Sequence, residues 1–137
     1  MIAGFEGRRL TSYQDQRGIW TIGDGHTGAD VVKGLVWTPQ QADDALEADL
    51  AVAEHAVNAN VSVPLTQNVF DALVSLTYNI GAKAFHDSTL LKMLNAGDKL
   101  VAAAQFLRWD HVNGNPNTGL LHRRIAERDL FMKPEAD

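Results

Sequence analysis

Hydrophobic and polar positions near the N-terminus predict a short hairpin preceded by a helical turn. Residues 19–22 (Ile-Trp-Thr-Ile) are β-branched or aromatic, which is typical of a strand. The four residues before them, 15–18 (Asp-Gln-Arg-Gly), have the composition of a turn. We therefore predict a hairpin over residues 13–22 and place Glu6 on the helical turn before it.

The next segment predicts a long helix with a defined start. Thr38 has the residue type of an N-cap, Pro39 suits the first helical position, and Gln41 completes a capping box. Apolar side chains then recur every three or four residues, at Ala42, Leu46, Leu50, Ala53 and Val57. This spacing predicts one face of a helix of about twenty residues, and we interpret the acidic residues between them as its solvated face.

Two more helices are predicted in the middle of the chain. Residues 69–80 are apolar on nearly every side, which indicates a buried helix. Thr66 is its predicted cap, and Gly81 suits its C-terminal turn. A short helix then opens at Ser88 or Thr89 and ends before Gly97.

The C-terminal part predicts two helices separated by a loop over residues 113–117. Asp98 caps the first, and the second runs from about residue 118 to residue 131. The residues expected to face inward on them are Leu100, Val101, Ala104, Leu107 or Arg108, Leu121, Ile125 and Leu130. The predicted fold class is α+β, with a small N-terminal antiparallel sheet and a larger group of helices after it.

Composition narrows the class of protein. The 137 residues contain no repeat and no linker, so we predict one domain. The chain has no cysteine, which excludes disulfides and thiolate metal sites. Its five histidines form neither a His-x3-His pair nor an HExxH motif, so we expect no metal and no cofactor. No apolar run approaches the roughly 18 residues of a membrane span, so we expect no membrane segment.

Charge argues against a nucleic-acid-binding protein. The formal net charge is −5, and no basic stripe is visible. A helical domain that binds nucleic acid through residues 122–124 (His-Arg-Arg) is the alternative that this balance disfavours.

The clearest candidates for catalytic residues are Glu6, Asp15 and Thr21. Taken singly, they read as an exposed glutamate, a turn aspartate and a strand threonine. If the hairpin folds towards Glu6, a protonated carboxylic acid faces an ionised carboxylate beside a hydroxyl that can hold a water. That arrangement is the one used in glycoside hydrolysis.

A set of motifs resembles one known family. The segments are FEGxRL from Phe5, Tyr13-x-Asp15, Gly18-x-Trp-Thr-Ile-Gly23, Gly25-His-Thr27, Asn79-Ile-Gly81, Leu94-Asn-Ala-Gly97 and Gly119-Leu-Leu-His-Arg-Arg-x-Ala-Glu127. Together with the spacing Glu-x8-Asp-x5-Thr, they resemble the phage-type lysozymes, the endolysins of glycoside hydrolase family 24. The resemblance implies a lysozyme-like catalytic domain with a sheet lobe over about 1–37, a linking helix over about 39–59 and a helical lobe over about 64–132.

The resemblance also implies an activity. It is that of a muramidase which hydrolyses the β-1,4 bond between N-acetylmuramic acid and N-acetylglucosamine in peptidoglycan, for host cell lysis. Glu6 would be the general acid, and Asp15 and Thr21 would position water, with inversion expected although some members retain. The alternatives are a lytic transglycosylase and a non-catalytic peptidoglycan-binding module. We expect a monomer, made in the host cytoplasm and acting on the cell wall in the periplasm.

Four further residues are candidate substrate contacts by the same resemblance: His26, Tyr78, Gln105 and Arg123. His26 has a structural alternative as the partner of a carboxylate or carbonyl, Tyr78 as a core residue, and Arg123 as the ion-pair partner of Glu127. Asp24 departs from the family pattern, which usually has an aromatic or other non-acidic residue there. Its carboxylate would raise the pKa of Glu6, repel an anionic substrate or face solvent.

Overall fold

A computed structural model describes residues 7–134. Within that range the chain forms two small antiparallel sheets, six α-helices and a 3₁₀ turn at Phe106–Arg108. The strands are β1 (Arg9–Gln14), β2 (Trp20–Gly23), β3 (His111–Val112) and β4 (Asn115–Pro116). The helices are α1 (Pro39–Asn60), α2 (Gln67–Ile80), α3 (Ala82–His86), α4 (Thr89–Asn95), α5 (Lys99–Gln105) and α6 (Thr118–Met132). The predicted α+β class, with a small N-terminal sheet and a larger helical part, is confirmed.

The N-terminal sheet contains the predicted hairpin. Strands β1 and β2 pair with Tyr13 opposite Thr21, and the turn closes through a 2.9 Å bond from the Gly18 amide to the Asp15 carbonyl. Gly18 has φ +79°, a conformation that glycine adopts without strain. Residues 35–37 bond to the other edge of β1, so the segment 28–34 is a crossover that ends in a short extended stretch. The helical turn predicted at Glu6 lies outside the described residues.

Helix α1 begins as the sequence predicts. The Thr38 hydroxyl accepts a bond from the Gln41 amide (3.2 Å), and the Gln41 side-chain oxygen accepts one from the Thr38 amide (2.8 Å). This reciprocal pair is a capping box, which satisfies two backbone donors at the helix start. The chain divides into two compact units, 1–51 and 52–137, and the border falls inside α1. The single catalytic domain and its lobe boundaries stay a prediction.

The core of the second unit is built on α2. Thr66 caps this helix by accepting from the Val69 amide, and seven of its residues are buried, including six consecutive ones from Ala72 to Thr77. A helix with buried residues on so many sides must be enclosed by neighbours. Helix α6 packs along it, and Gly81, at φ +95°, ends it. The predicted buried helix is therefore confirmed.

The sequence predicts the wrong inward-facing residues for α5 and α6. On α5, Leu100 is 72% exposed and Val101 is 40% exposed, whereas the buried side chains are Ala102 and Ala103, followed by Phe106 in the 3₁₀ turn. The Asp98 side chain caps this seven-residue helix by accepting from the Val101 amide, and the helix packs against α4. Phe106, directly after it, is fully buried. Alanine side chains are small and let two helices approach closely. Because they are only weakly hydrophobic, the sequence pattern did not mark them as the buried face.

On α6, the predicted inward leucines and isoleucine are only half-buried. The buried side chains are Arg123, Arg124, Glu127 and Phe131. Charged residues are read as surface residues in a hydrophobic pattern, so the buried face of α6 was assigned to the wrong side.

Two short elements were not predicted. Helix α3 follows α2 directly, and residues predicted as loop include a small hairpin, in which β3 and β4 pair through Val112 and Asn115. Asn113 (φ 51°) and Gly114 (φ 82°) form its turn. An Asn-Gly pair is the usual sequence of such two-residue turns, so the signal was present.

Candidate active site

Asp15 lies in the turn between β1 and β2, and its carboxylate is held by four donors. Its Oδ1 accepts bonds from the backbone amides of Arg17 (2.8 Å) and Ile19 (3.0 Å). Its Oδ2 accepts from Nε (3.2 Å) and Nη2 (2.9 Å) of the Arg17 guanidinium. Both carboxylate oxygens are therefore bound by residues of the same turn, Arg17 and Ile19.

These donors favour the ionised form of Asp15. Partial burial by itself would raise the pKa of this carboxyl, but the Ile19 amide, the Arg17 side chain and the Arg17 amide outweigh it. The pKa of Asp15 is therefore lowered below its ordinary value, because each donor favours the charged form. At neutral pH the group is an ionised carboxylate in a fixed orientation.

Thr21 is joined to Asp15 through one intervening residue. The Thr21 hydroxyl donates a 2.9 Å bond to the Ile19 carbonyl, and the Ile19 amide donates to Asp15. Thr21 is 4% exposed. With its hydrogen committed to Ile19, the hydroxyl oxygen retains lone pairs that can accept a bond from a water. The structure thus brings Asp15 and Thr21 together on one hairpin, whereas Glu6 lies outside the described residues.

Asp24 does not face solvent. It is 4% exposed and binds the Arg8 guanidinium at 2.6 Å through Nη2 and at 3.1 Å through Nε. Arg8 also reaches Asp43 on α1 at 2.7 Å, and these two carboxylates raise its pKa. The solvent-facing alternative for Asp24 is therefore wrong. Its negative charge is neutralised by the arginine that stands two residues after Glu6.

The glycines around Asp24 serve a tight turn. Ile22 and His26 exchange two backbone hydrogen bonds across it, at 3.0 and 2.9 Å. Gly23 has φ +67°, and a Cβ there would lie 3.0 Å from the Trp37 ring. A larger residue at this position would be both strained and crowded.

His26 binds a carboxylate through each ring nitrogen. Nδ1 lies 2.7 Å from Asp49 on α1, Nε2 lies 3.3 Å from Asp30, and the ring packs on Trp37. Partial burial works to lower the pKa of His26, but the bonds and charges of Asp49 and then Asp30 outweigh it, so the pKa is raised above 6.5. These contacts favour the structural interpretation of His26.

The His26 pair predicts a pH-dependent contribution to stability. Because the folded-state pKa is raised, the contribution is complete below the unfolded pKa of about 6.5 and is lost as pH rises through the folded pKa. Asp49→Asn should therefore lower the free energy of unfolding by about 1 kcal/mol near pH 6 and by less near pH 9. Urea unfolding of both proteins at the two pH values measures this difference.

The control for that experiment is Asp30→Asn. Asp30 is more exposed and lies farther from the ring than Asp49, so its replacement should have a smaller effect. A difference between wild type and Asp49→Asn that does not change with pH would contradict the prediction.

The other predicted substrate contacts belong to the second compact unit. Tyr78 on α2 and Gln105 at the end of α5 are half-buried. Arg123 is 5% exposed, and it donates to the Ser75 carbonyl (3.1 Å) and to Glu127 (3.2 Å). The ion pair with Glu127 is therefore present, and it favours the structural interpretation of Arg123.

Arg123 is part of a buried charge cluster that sequence reasoning did not find as a whole. Glu127, which is fully buried, also lies 2.7 Å from Nε of Arg124 and accepts a 2.5 Å bond from the Ser75 hydroxyl. Burial raises the pKa of Glu127, while the charges of Arg124 and Arg123 and the Ser75 bond oppose that increase. The i, i+3 and i, i+4 spacing of the three charges on α6 was the available signal.

Comparison with known proteins identifies the family of this chain. A sequence model of the phage lysozyme family matches residues 3–127. The chain belongs to the phage lysozyme family. This match includes the positions of Glu6, Asp15 and Thr21, and it confirms the family that the motifs resembled.

Individual members agree with this assignment along nearly the whole chain. An endolysin of Acyrthosiphon pisum secondary endosymbiont phage 1 is 47% identical over 135 residues, covering 96% of this chain and 92% of its own. An endolysin of Salmonella phage P22 is 45% identical over 131 residues, covering 93% and 89%. The muramidase domain of SpmX from Asticaccaulis excentricus superposes with a TM-score of 0.84 at 41% identity, covering 97% and 92%.

Membership of the phage lysozyme family makes this chain a lysozyme-type enzyme that acts on peptidoglycan. Over residues 7–134, no helix has both the length and the apolar character to cross a bilayer. Sequence reasoning missed Arg17 as the partner of Asp15, although its place two residues along the same turn was a usable signal.

Proposed function

We propose that this chain is an endolysin muramidase that hydrolyses the β-1,4 bond between N-acetylmuramic acid and N-acetylglucosamine. The observation that carries the proposal is the hairpin on which an ionised Asp15 and the Thr21 hydroxyl are both bound to Ile19. Glycoside hydrolysis pairs a carboxylic acid with an ionised carboxylate. Asp15 supplies the carboxylate, and the Thr21 hydroxyl can accept a bond from the attacking water. The family match, which spans Glu6, supports the third group.

In the proposed reaction, Glu6 donates its proton to the glycosidic oxygen as the bond from that oxygen to the anomeric carbon breaks. Asp15 stabilises the positive charge that develops on the sugar ring. A water held by Asp15 and Thr21 attacks the anomeric carbon from the opposite face and gives its proton to Asp15. One water is consumed and the product inverts. Exchange with solvent then returns a proton to Glu6 and removes one from Asp15, which restores the starting state.

Within this proposal, Tyr78 and Gln105 contact the glycan strand, and His26 and Arg123 support the fold. The last two assignments follow from their contacts, since each side chain is committed to a carboxylate. The enzyme works as a monomer without a cofactor or a nucleic-acid partner. It is made in the host cytoplasm and reaches the cell wall to act.

Mass analysis of the products tests the proposal directly. Digestion of purified Gram-negative peptidoglycan should release muropeptides with reducing ends. Products lighter by one water, with an anhydro ring, would instead assign the chain to the lytic transglycosylases. Binding to the wall without any soluble product would identify a non-catalytic module.

A further inference from the structure

We propose that Arg17 is a positioning residue of the active site, which holds the Asp15 carboxylate ionised and in one orientation and so sets the acidic limit of activity. The proposal rests on the proposed function of Asp15. It adds a residue of this chain that neither the motif spacing nor the family match assigns to the reaction.

The geometry leaves Asp15 little freedom. Both Nε and Nη2 of Arg17 donate to Oδ2, while Oδ1 accepts the amides of Arg17 and Ile19. Rotation of the carboxylate would break bonds on both oxygens. The carboxylate is therefore held in one orientation on the hairpin, and a fixed orientation is what positioning a water in line with the anomeric carbon requires.

Arg17 should affect the ionisation and the orientation of the Asp15 carboxylate more than the free energy of unfolding. The Arg17 side chain is 48% exposed, and exposed ion pairs add little to the free energy of unfolding. Its charge and two hydrogen bonds nevertheless act on one oxygen of Asp15 and favour the ionised form. Replacement of Arg17 should therefore change the pH dependence of activity while the fold is retained.

The direction of the change follows from the donors that remain. Without the guanidinium, Asp15 keeps two backbone amides but loses a positive charge, so the pKa of its carboxyl rises part of the way. Activity that requires ionised Asp15 then falls off at a higher pH on the acidic side. Within the described residues the charged group that acts on Asp15 is Arg17. By the proposed function, Glu6 is the other titratable group of the site.

The experiment compares wild type with Arg17→Gln and Arg17→Lys, using Lys33→Gln as the matched control. Lys33 is an exposed cation of the same compact unit, so its replacement changes the net charge equally. Three measurements are made: the pKa of Asp15 by carbon NMR, kcat and KM on peptidoglycan as functions of pH, and the free energy of unfolding in urea.

For Arg17→Gln we expect the pKa of Asp15 and the acidic limb of the kcat profile to rise together by roughly one pH unit. Arg17→Lys should restore part of the shift, since lysine keeps the charge without the planar fork. Lys33→Gln should leave both quantities unchanged.

Two results would overturn the inference, and they separate it from the proposed function. An unchanged pKa of Asp15 in Arg17→Gln would reject the role of Arg17 even if Asp15→Asn is inactive. A raised pKa with an unmoved acidic limb would show that activity does not require ionised Asp15, and the proposed role of Asp15 would fail with it. A shift of equal size in Lys33→Gln would reduce the effect to net charge.

Discussion

Replacement of Glu6 by glutamine is expected to lower the rate of peptidoglycan hydrolysis by about 10²–10⁴-fold. Glutamine has the shape of glutamate but no acidic proton, so the leaving oxygen would depart as an alkoxide. Because only proton donation is removed, kcat should fall far more than KM rises. Release of reducing ends from purified peptidoglycan, measured over a range of substrate concentrations, separates the two parameters.

The matched control is Glu54→Gln, which makes the same chemical change at an exposed position of α1. It should retain wild-type activity. Unfolding of both variants in urea should match wild type, which excludes loss of folded protein as the cause. A wild-type rate in Glu6→Gln would remove Glu6 from the mechanism and leave the proton donor to be found elsewhere.

Replacement of Glu127 by alanine is expected to be the most damaging change to stability, at about 3–5 kcal/mol. Arg124 and Arg123, which are 0% and 5% exposed, would lose the carboxylate that they share. Buried guanidiniums without this counter-charge are costly because they have little access to water. Thermal unfolding should shift downward by on the order of 10 °C.

Asp129→Asn provides the comparison on the same helix. Asp129 is exposed and pairs with the neighbouring Arg128, so its loss should change stability by less than about 0.5 kcal/mol. Glu127→Gln keeps the size of the side chain and tests the charge alone. A small effect of Glu127→Gln beside a large effect of Glu127→Ala would mean that the cluster contributes shape rather than charge balance. A small effect of both variants would contradict the prediction.

The features predicted correctly from the sequence are set by residues close together in the chain. The capping box of α1 needs only Thr38 and Gln41, and the hairpin needs a turn and a strand within ten residues. Family motifs added the order of the elements. Interactions between residues this close in the chain can be predicted from the sequence without knowledge of the fold.

Two of the features that were missed depend on partners far apart in the chain. Asp24 is neutralised by Arg8, sixteen residues away, and no property of Asp24 itself indicates this. Glu127 is buried because Ser75, fifty-two residues earlier, donates to it beside two arginines of its own helix. A hydrophobicity pattern places charged residues at the surface. It therefore cannot identify charged side chains that are buried because they neutralise one another.

The shared attachment of Asp15 and Thr21 to Ile19 has a consequence for engineering this enzyme. Both side chains are tied to opposite ends of one residue, its amide and its carbonyl. A proline at position 19 would remove the amide donor to Asp15, and an insertion between the two groups would disturb both attachments at once. Transfer of residues 9–23, the whole hairpin, into a related scaffold would carry both attachments together, so the hairpin is the unit to exchange when active sites are recombined among homologues.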